Sequence, residues 1–416
     1  MVTMSAEQCP LNPEVESFVA SIDGVRLCAA ASSLRPGVQC RLGQLIVGGY
    51  NVFFDIVFTD GVTWLARFPL PFTCSSLDAA DKLLFSYAAT LKYIRLHTSI
   101  PVPEVFACSS RLDKENELGV SYMFMERLPG RVLHMDDVRS DVESRGLAVL
   151  AAEKVYRQLA QFVMELGRLG ISCCESLLIL CYTAALRFNK IGSLQENPVG
   201  SGNFEVGEYY NAAILYPPAR GQIYEASLFK GPFSTTSDFQ ATLMSLNEKY
   251  AGIDEIDEGC EYLRSVQQTR LLCLRPEISP PQYENGPFVL GHDDLSSSDI
   301  LVDDDHNITG ILDFPGTAVP LPALVNYPTV FFENACTPFT DKKLWPKAIL
   351  GAQPISGSAL NSSEVRSLLM EHVLSRSQFY LALSQTWAYS PVEGLAKKLL
   401  GRDDTGGSEV SLTSEL

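Results

Sequence analysis

The stretch FVLGHDDLSSSDILVDDDHNITGILDFP, residues 288 to 315, constrains the fold more than any other part of this chain. Two short apolar runs, Ile300-Leu301-Val302 and Ile308 to Leu312, flank the polar turn Asp303 to Asn307, so the segment reads as a loop leading into a β-hairpin. Three of its seven carboxylates are spaced for chemistry. Asp294 and Asp299 fall in the loop, and Asp313 falls at the far end of the second strand. The run Asp303-Asp304-Asp305 reads as a solvated turn. Asp313 differs, because it follows five residues of strand character and precedes Phe314-Pro315, where a lone carboxylate needs a partner or a metal ion.

Phosphoryl transfer asks little covalent help of a protein. It needs a group that orients and deprotonates the attacking hydroxyl, and oxygen ligands that hold Mg²⁺ against the phosphates. The spacing of this segment suits that chemistry, with Asp294 placed as the base and Asp299 and Asp313 placed as metal ligands.

The run His292-Asp293-Asp294-Leu295, with Ile300-Leu301-Val302-Asp303 and then Gly310-Ile311-Leu312-Asp313, resembles the catalytic loop and metal-binding segment of the aminoglycoside phosphotransferase and choline kinase-like family, especially its fungal members. The resemblance implies an α+β, two-lobed, protein-kinase-like fold with a small antiparallel-sheet N-lobe and a larger, mainly helical C-lobe. It also implies use of ATP and Mg²⁺ to phosphorylate a small-molecule hydroxyl. On this basis residues 1–127 form a nucleotide-covering sheet with one helix. Residues 128–395 form the C-lobe with its catalytic loop and metal-binding hairpin, and 396–416, polar and rich in Gly and Ser, form a disordered tail.

Two N-terminal segments extend the resemblance over most of residues 40 to 335. In the first, β-rich runs from Val47 to Phe58 and from Val62 to Phe68 are joined through Asp60-Gly61, a strong hairpin signal. Gly48 and Gly49 permit a tight backbone over a phosphate, as the family's nucleotide-covering loop does, or else shape a turn. Arg67 takes the place of the phosphate-binding lysine of kinases, and a guanidinium can hold phosphate oxygens in bidentate fashion; the alternative is an ordinary edge-strand arginine. In the second segment, Leu83, Leu84, Tyr87, Leu91 and Ile94 recur at helical spacing until Pro101 and Pro103 impose an extended run. Tyr122 to Met125 then reads as a strand. Glu126-Arg127-Leu128-Pro129-Gly130 resembles the hinge whose backbone meets the adenine, making Glu126 and Leu128 the expected nucleotide contacts.

The chain also departs from the family. Tyr87 stands where relatives place a glutamate that pairs with the strand cation, which predicts a less firmly held Arg67. Asp299 stands where they have Asn, and the added charge predicts a stricter metal requirement. Pro315 stands where an acidic residue is common. These departures support an alternative reading, a catalytically impaired pseudokinase that binds nucleotide or a partner. In the catalytic loop, His292 is expected to be structural, and Ser296 to Ser298 form a turn, bind phosphate, or both.

With 416 residues, 46% of them hydrophobic, the chain can build a large core. A net charge of −17 argues against a nucleic-acid or anionic-membrane partner and is compatible with cationic acceptors. The 11 cysteines show no metal spacing and read as reduced thiols. No apolar run reaches the roughly 20 residues that span a bilayer, and residues 1 to 36 lack secretory features, which predicts a cytoplasmic protein. Ala148 to Leu169 has the apolar stripe of a core helix. The apolar, Cys-rich run Ile171 to Leu186 that follows reads as an insertion, either intron sequence wrongly retained in the gene model or a real extra helix. Ser201 to Thr236 would shape the acceptor pocket, and Ser362 to Ser384 reads as an amphipathic helix.

Overall fold

A computed structural model describes residues 12–74, 76–134, 145–168, 188–210, 231–251, 272–276, 278–292, 295–314, 317–320, 344–356 and 360–363. The helix expected after Ser362, apart from its first residues, the segment 171–186 and the tail 396–416 lie outside them.

Strands β1 (Cys40–Val47), β2 (Asn51–Phe58), β3 (Thr63–Pro69), β4 (Val105–Ser109) and β5 (Tyr122–Glu126) form one antiparallel sheet in the order β1-β2-β3-β5-β4. The β2–β3 hairpin turns at Asp60-Gly61. Gly61 has φ +88°, which a side chain resists, and Asp60 Oδ1 accepts the Val62 N–H at 3.2 Å. Alternate residues of β2 face opposite sides of the sheet: one set is apolar throughout, and the other sets Phe53 and Val57 among the polar Asn51 and Asp55. Val52, Phe54, Ile56 and Phe58 join one core cluster, whereas Phe53 joins a second.

A sheet with apolar side chains on both faces needs two covers. The outer cover is supplied by α1 (Pro13–Ser21) and α2 (Gly24–Ser33), whose Val15, Leu27 and Ala31 pack with Val52, Phe54 and Ile56. Asn12 and Asp23 cap them, accepting backbone N–H bonds from Glu14 and from Val25 and Arg26. The single helix expected in residues 1–127 is therefore corrected to three among the described residues, because the outer apolar row of β2 would otherwise face water. The inner cover is α3 (Leu77–His97), begun by Ser76, whose Oγ accepts the Ala79 N–H at 3.1 Å. Its Leu84, Tyr87, Ala88, Leu91 and Ile94 share one face and pack into the cluster that holds Phe53, Leu65, Met123 and Met125.

Helix α4 (Arg145–Leu166) adds Val155, Tyr156 and Leu159 to the same cluster. Its buried Glu165 accepts both the Ser99 N–H and the Ser99 hydroxyl at 2.6 Å, fastening α4 to the chain that leaves α3. Two small sheets follow. One is β11 (Ile308–Ile311), β10 (Ile300–Val302) and β6 (Arg131–Val132); the other is β8 (Phe204–Val206), β7 (Gly192–Glu196), β12 (Thr317–Pro320) and β9 (Phe288–Gly291). Two further α-helices are α5 (Thr236–Ala251) and α6 (Leu344–Gly351), and Trp345 and Ile349 of α6 are buried in the cluster shared with α4. No helix among the described residues is long and apolar enough to cross a membrane.

Candidate functional site

The β10–β11 hairpin forms where the sequence predicts it. In its turn the Asp303 carboxylate accepts the N–H groups of Asp305 and Asn307 at 3.0 and 2.7 Å and the Asn307 amide at 2.8 Å. These bonds, the Asn307 side chain foremost, hold the carboxyl below its usual range. From beneath, Gln158 accepts the Ile308 N–H at 2.9 Å and donates to His306 O at 3.1 Å, while Lys154 donates to Asp305 O at 2.7 Å. The far end of β11 is tied down twice. Ile311 N–H donates to Pro101 O at 2.8 Å, and Leu312 N–H donates to Asp299 O at 2.7 Å.

Asp313 leaves this anchored strand with φ +52°, in the left-handed region that costs an L-residue roughly 1–2 kcal/mol. Two contacts hold it there. Its N–H donates to the Tyr87 hydroxyl at 3.0 Å, and its Oδ1 lies 3.0 Å from Nη2 of Arg67. Arg67 sits on β3, in the middle of the sheet, so the edge-strand reading is excluded. It is opposite Phe53 and Met123 in register, and thus on the face covered by α3.

A guanidinium only 8% exposed must be compensated. Arg67 Nε donates to Asn51 Oδ1 at 3.1 Å, and its guanidinium carbon lies 4.0 Å from the centre of the Tyr87 ring and 5.7 Å from that of Phe53. The expectation that Tyr87 leaves Arg67 loosely held is therefore corrected: ring, amide and carboxylate hold it together. Burial is the main force raising the Tyr87 phenol above its ordinary pKa. Arg67 and the Asp313 N–H oppose the rise, and the charges of Asp313 and Asp299 add to it. The Leu312 N–H bond to Asp299 O ties the backbone of Asp299 to the strand end from which Asp313 departs.

Asp299 ends a short 3₁₀ turn, Ser297–Asp299, where its Oδ2 accepts the Ser296 N–H at 2.8 Å and the Ser296 hydroxyl at 2.6 Å. The serines here shape the turn. His292 likewise acts as scaffold, with Nε2 3.1 Å from Leu312 O and its ring 4.7 Å from that of Phe314. Asp294 and Pro315 lie outside the described residues. Among the described residues no three His, Cys, Asp or Glu side chains form a metal cluster. Two carboxylates, one of them 58% exposed, still suit Mg²⁺, which prefers one or two carboxylates with phosphate and water completing its shell.

Gly48 and Gly49 form the turn between β1 and β2. Gly48 N–H donates to Asn51 O at 2.8 Å, and neither residue has a positive φ. A Cβ on Gly49 would meet nothing within 4 Å. Asn51, which closes this turn, is the residue that holds Arg67 Nε, so the turn and the cation are joined directly.

In the segment expected to be the hinge, Glu126 N–H donates to Glu104 O at 2.8 Å, and its carboxylate accepts from Arg95 Nη1 and the Glu104 N–H, both at 3.2 Å. Arg127 pairs with Asp55, a buried carboxylate of β2. Leu128 packs over Gly310, where an added Cβ would come within 2.8 Å of its Cδ1. Gly130 has φ +109°, and Thr309 Oγ1 donates to Pro129 O at 2.6 Å, so hinge and hairpin are in contact. The sequence reading passed over Asn51 and Asp55. Their signal was present, as polar residues that interrupt the apolar run of β2.

A model of the phosphotransferase enzyme family matches residues 54–324. A subtelomeric hrmA-associated cluster protein of Aspergillus fumigatus is 35% identical over 92 residues, which cover 22% of this chain and only 17% of that protein. Among solved structures, Plasmodium vivax ethanolamine kinase aligns at 13% identity and a TM-score of 0.47, covering 92% of this chain and 84% of that one. The ADP-bound aminoglycoside phosphotransferase APH(2'')-Ib aligns at 11% identity and a TM-score of 0.46, covering 89% and 96%.

Proposed function

The chain belongs to the phosphotransferase enzyme family, and from that premise we propose that it is an ATP- and Mg²⁺-dependent phosphotransferase acting on a hydroxyl of a small-molecule acceptor. The observation that carries this reading is the 3.0 Å contact between Arg67 of the sheet and Asp313 of the hairpin. It joins the cation suited to a phosphate with a carboxylate suited to the metal that phosphate requires.

Each residue has a distinct task in this reading. Arg67, fixed in direction by Asn51 and Tyr87, offers N–H donors to the α- and β-phosphates. The turn at Gly48 and Gly49 covers them, leaving the backbone close because no side chain intervenes. Backbone groups of the hinge from Glu126 to Leu128 receive the adenine, and the ties of Glu126 to Arg95 and Glu104 keep that strand end in place. Asp299 and Asp313 would hold the metal, which when bound would neutralise charge on the phosphate oxygens. Asp294 orients the acceptor hydroxyl and takes its proton. The boundary near residue 127 separates the nucleotide-covering sheet from the part that presents catalytic loop and hairpin.

Asp294→Asn tests the reading. It should keep nucleotide binding and lose at least about 100-fold in turnover, the scale of general-base removal. Equal turnover in the variant, or no phosphate transfer by the unaltered protein to any acceptor in a screen with labelled ATP, would contradict it.

A further inference from the structure

We propose that Tyr87 is the positioning residue of this site: its ring seats the Arg67 guanidinium, its hydroxyl sets the Asp313 backbone, and it does both without adding a charge beside Asp299 and Asp313. The inference rests on the phosphotransferase reading and names how that site is held.

Two contacts converge on the Tyr87 side chain, and the two residues that make them also meet each other. The Arg67 guanidinium lies 4.0 Å from the ring centre, the Asp313 N–H donates to the hydroxyl at 3.0 Å, and Arg67 and Asp313 meet each other at 3.0 Å. Tyr87 is 6% exposed in the middle of α3, a 21-residue helix packed against both the sheet and β7, so its ring has little freedom to move. A carboxylate at this helical position could also hold Arg67. It would, however, place a third anion among two carboxylates and the incoming phosphates, and like charges at that range oppose one another strongly in a partly dry site. A phenol ring attracts the guanidinium through its quadrupole and leaves the cation's charge available to phosphate. The hydroxyl does a second task that a purely apolar ring could not, satisfying the N–H of a residue in the left-handed region.

The two tasks predict separable effects. Tyr87→Phe keeps the ring and removes the hydroxyl, so KM for ATP should stay within about twofold while kcat falls about fivefold, the worth of one hydrogen bond that sets a metal ligand. Tyr87→Leu removes the ring as well and should raise KM for ATP by about fivefold or more. Tyr87→Glu should weaken Mg-ATP binding about tenfold, and adding Asp299→Asn should recover most of that loss by restoring the charge count. All four proteins are read for nucleotide binding by calorimetry and for folding by circular dichroism. Tyr87→Phe with kcat and KM unchanged, or Tyr87→Glu that Asp299→Asn does not rescue, overturns the proposal. An unaltered protein that neither binds Mg-ATP nor transfers phosphate overturns the phosphotransferase reading and this inference with it.

Discussion

Gly130→Ala tests whether the hinge is seated on the hairpin as described. A Cβ on Gly130 would lie 2.3 Å from Thr309 Oγ1 and 2.9 Å from Val302 O. The hydroxyl can rotate away, but it then gives up its 2.6 Å bond to Pro129 O. Val302 O cannot yield in the same way, because β10 is clamped between β6 and β11. Alanine must also adopt φ +109°, a conformation close to glycine-only. Strain and the lost hydrogen bond together predict a destabilisation of about 2–4 kcal/mol. Gly49→Ala is the matched control, since its Cβ meets nothing and its φ is ordinary, and it should fall within about 0.5 kcal/mol of the unaltered protein. Urea unfolding followed by circular dichroism measures both. The double variant Gly130→Ala/Thr309→Ala should remain unstable, because the clash with Val302 O and the φ penalty survive. Gly130→Ala no worse than Gly49→Ala, or full recovery in the double variant, would refute the argument.

Two further outcomes follow from bonds at the edges of the site. Glu165→Ala removes the acceptor for both Ser99 donors and should cost about 2–4 kcal/mol, the worth of two bonds to a buried carboxylate, read from the same urea curves; a loss under about 0.5 kcal/mol would show that Glu165 does not fasten α4 to the end of α3. The Asp303 carboxyl is held below its ordinary 3.8 by the Asn307 side chain and N–H, so its contribution to the turn is complete above that value and is lost as pH falls through the lower folded value. Nuclear magnetic resonance titration of Asp303 should therefore give a midpoint below 3.8, and a midpoint at or above it would contradict the turn geometry.

Much of this architecture is legible in the sequence because it is locally encoded. The β2–β3 hairpin announces itself through Asp60-Gly61, the β10–β11 hairpin through a polar turn between apolar runs, and α3 through Ser76 and the spacing of Leu84, Tyr87 and Leu91. Arg67 and Asp313 could each be singled out, but their meeting could not, since 246 positions separate them and only the packing of α3 between them sets the distance. Tyr87 reads from sequence as a buried helix residue that replaces the glutamate partner of Arg67, which predicts a lost contact rather than a new one. Its second role depends on which way the hydroxyl points, which periodicity does not specify. The sheet formed by β8, β7, β12 and β9 was harder still, because its strands have 3 to 5 residues and β7 pairs with a strand more than 100 positions away. Helices α1 and α2 were missed for a different reason. They are short, and their apolar residues make sense only once the outer row of β2 is known to need covering.

The central claim is that Arg67 and Asp313 form one phosphate- and metal-binding site. Calorimetric titration of ATP into the unaltered protein and into Asp313→Ala, each with and without Mg²⁺, tests it most directly. Binding to the unaltered protein should strengthen at least about tenfold with Mg²⁺, and Asp313→Ala should lose that gain while staying folded. Identical titrations for the two proteins, or ATP affinity indifferent to Mg²⁺ in both, would contradict the account.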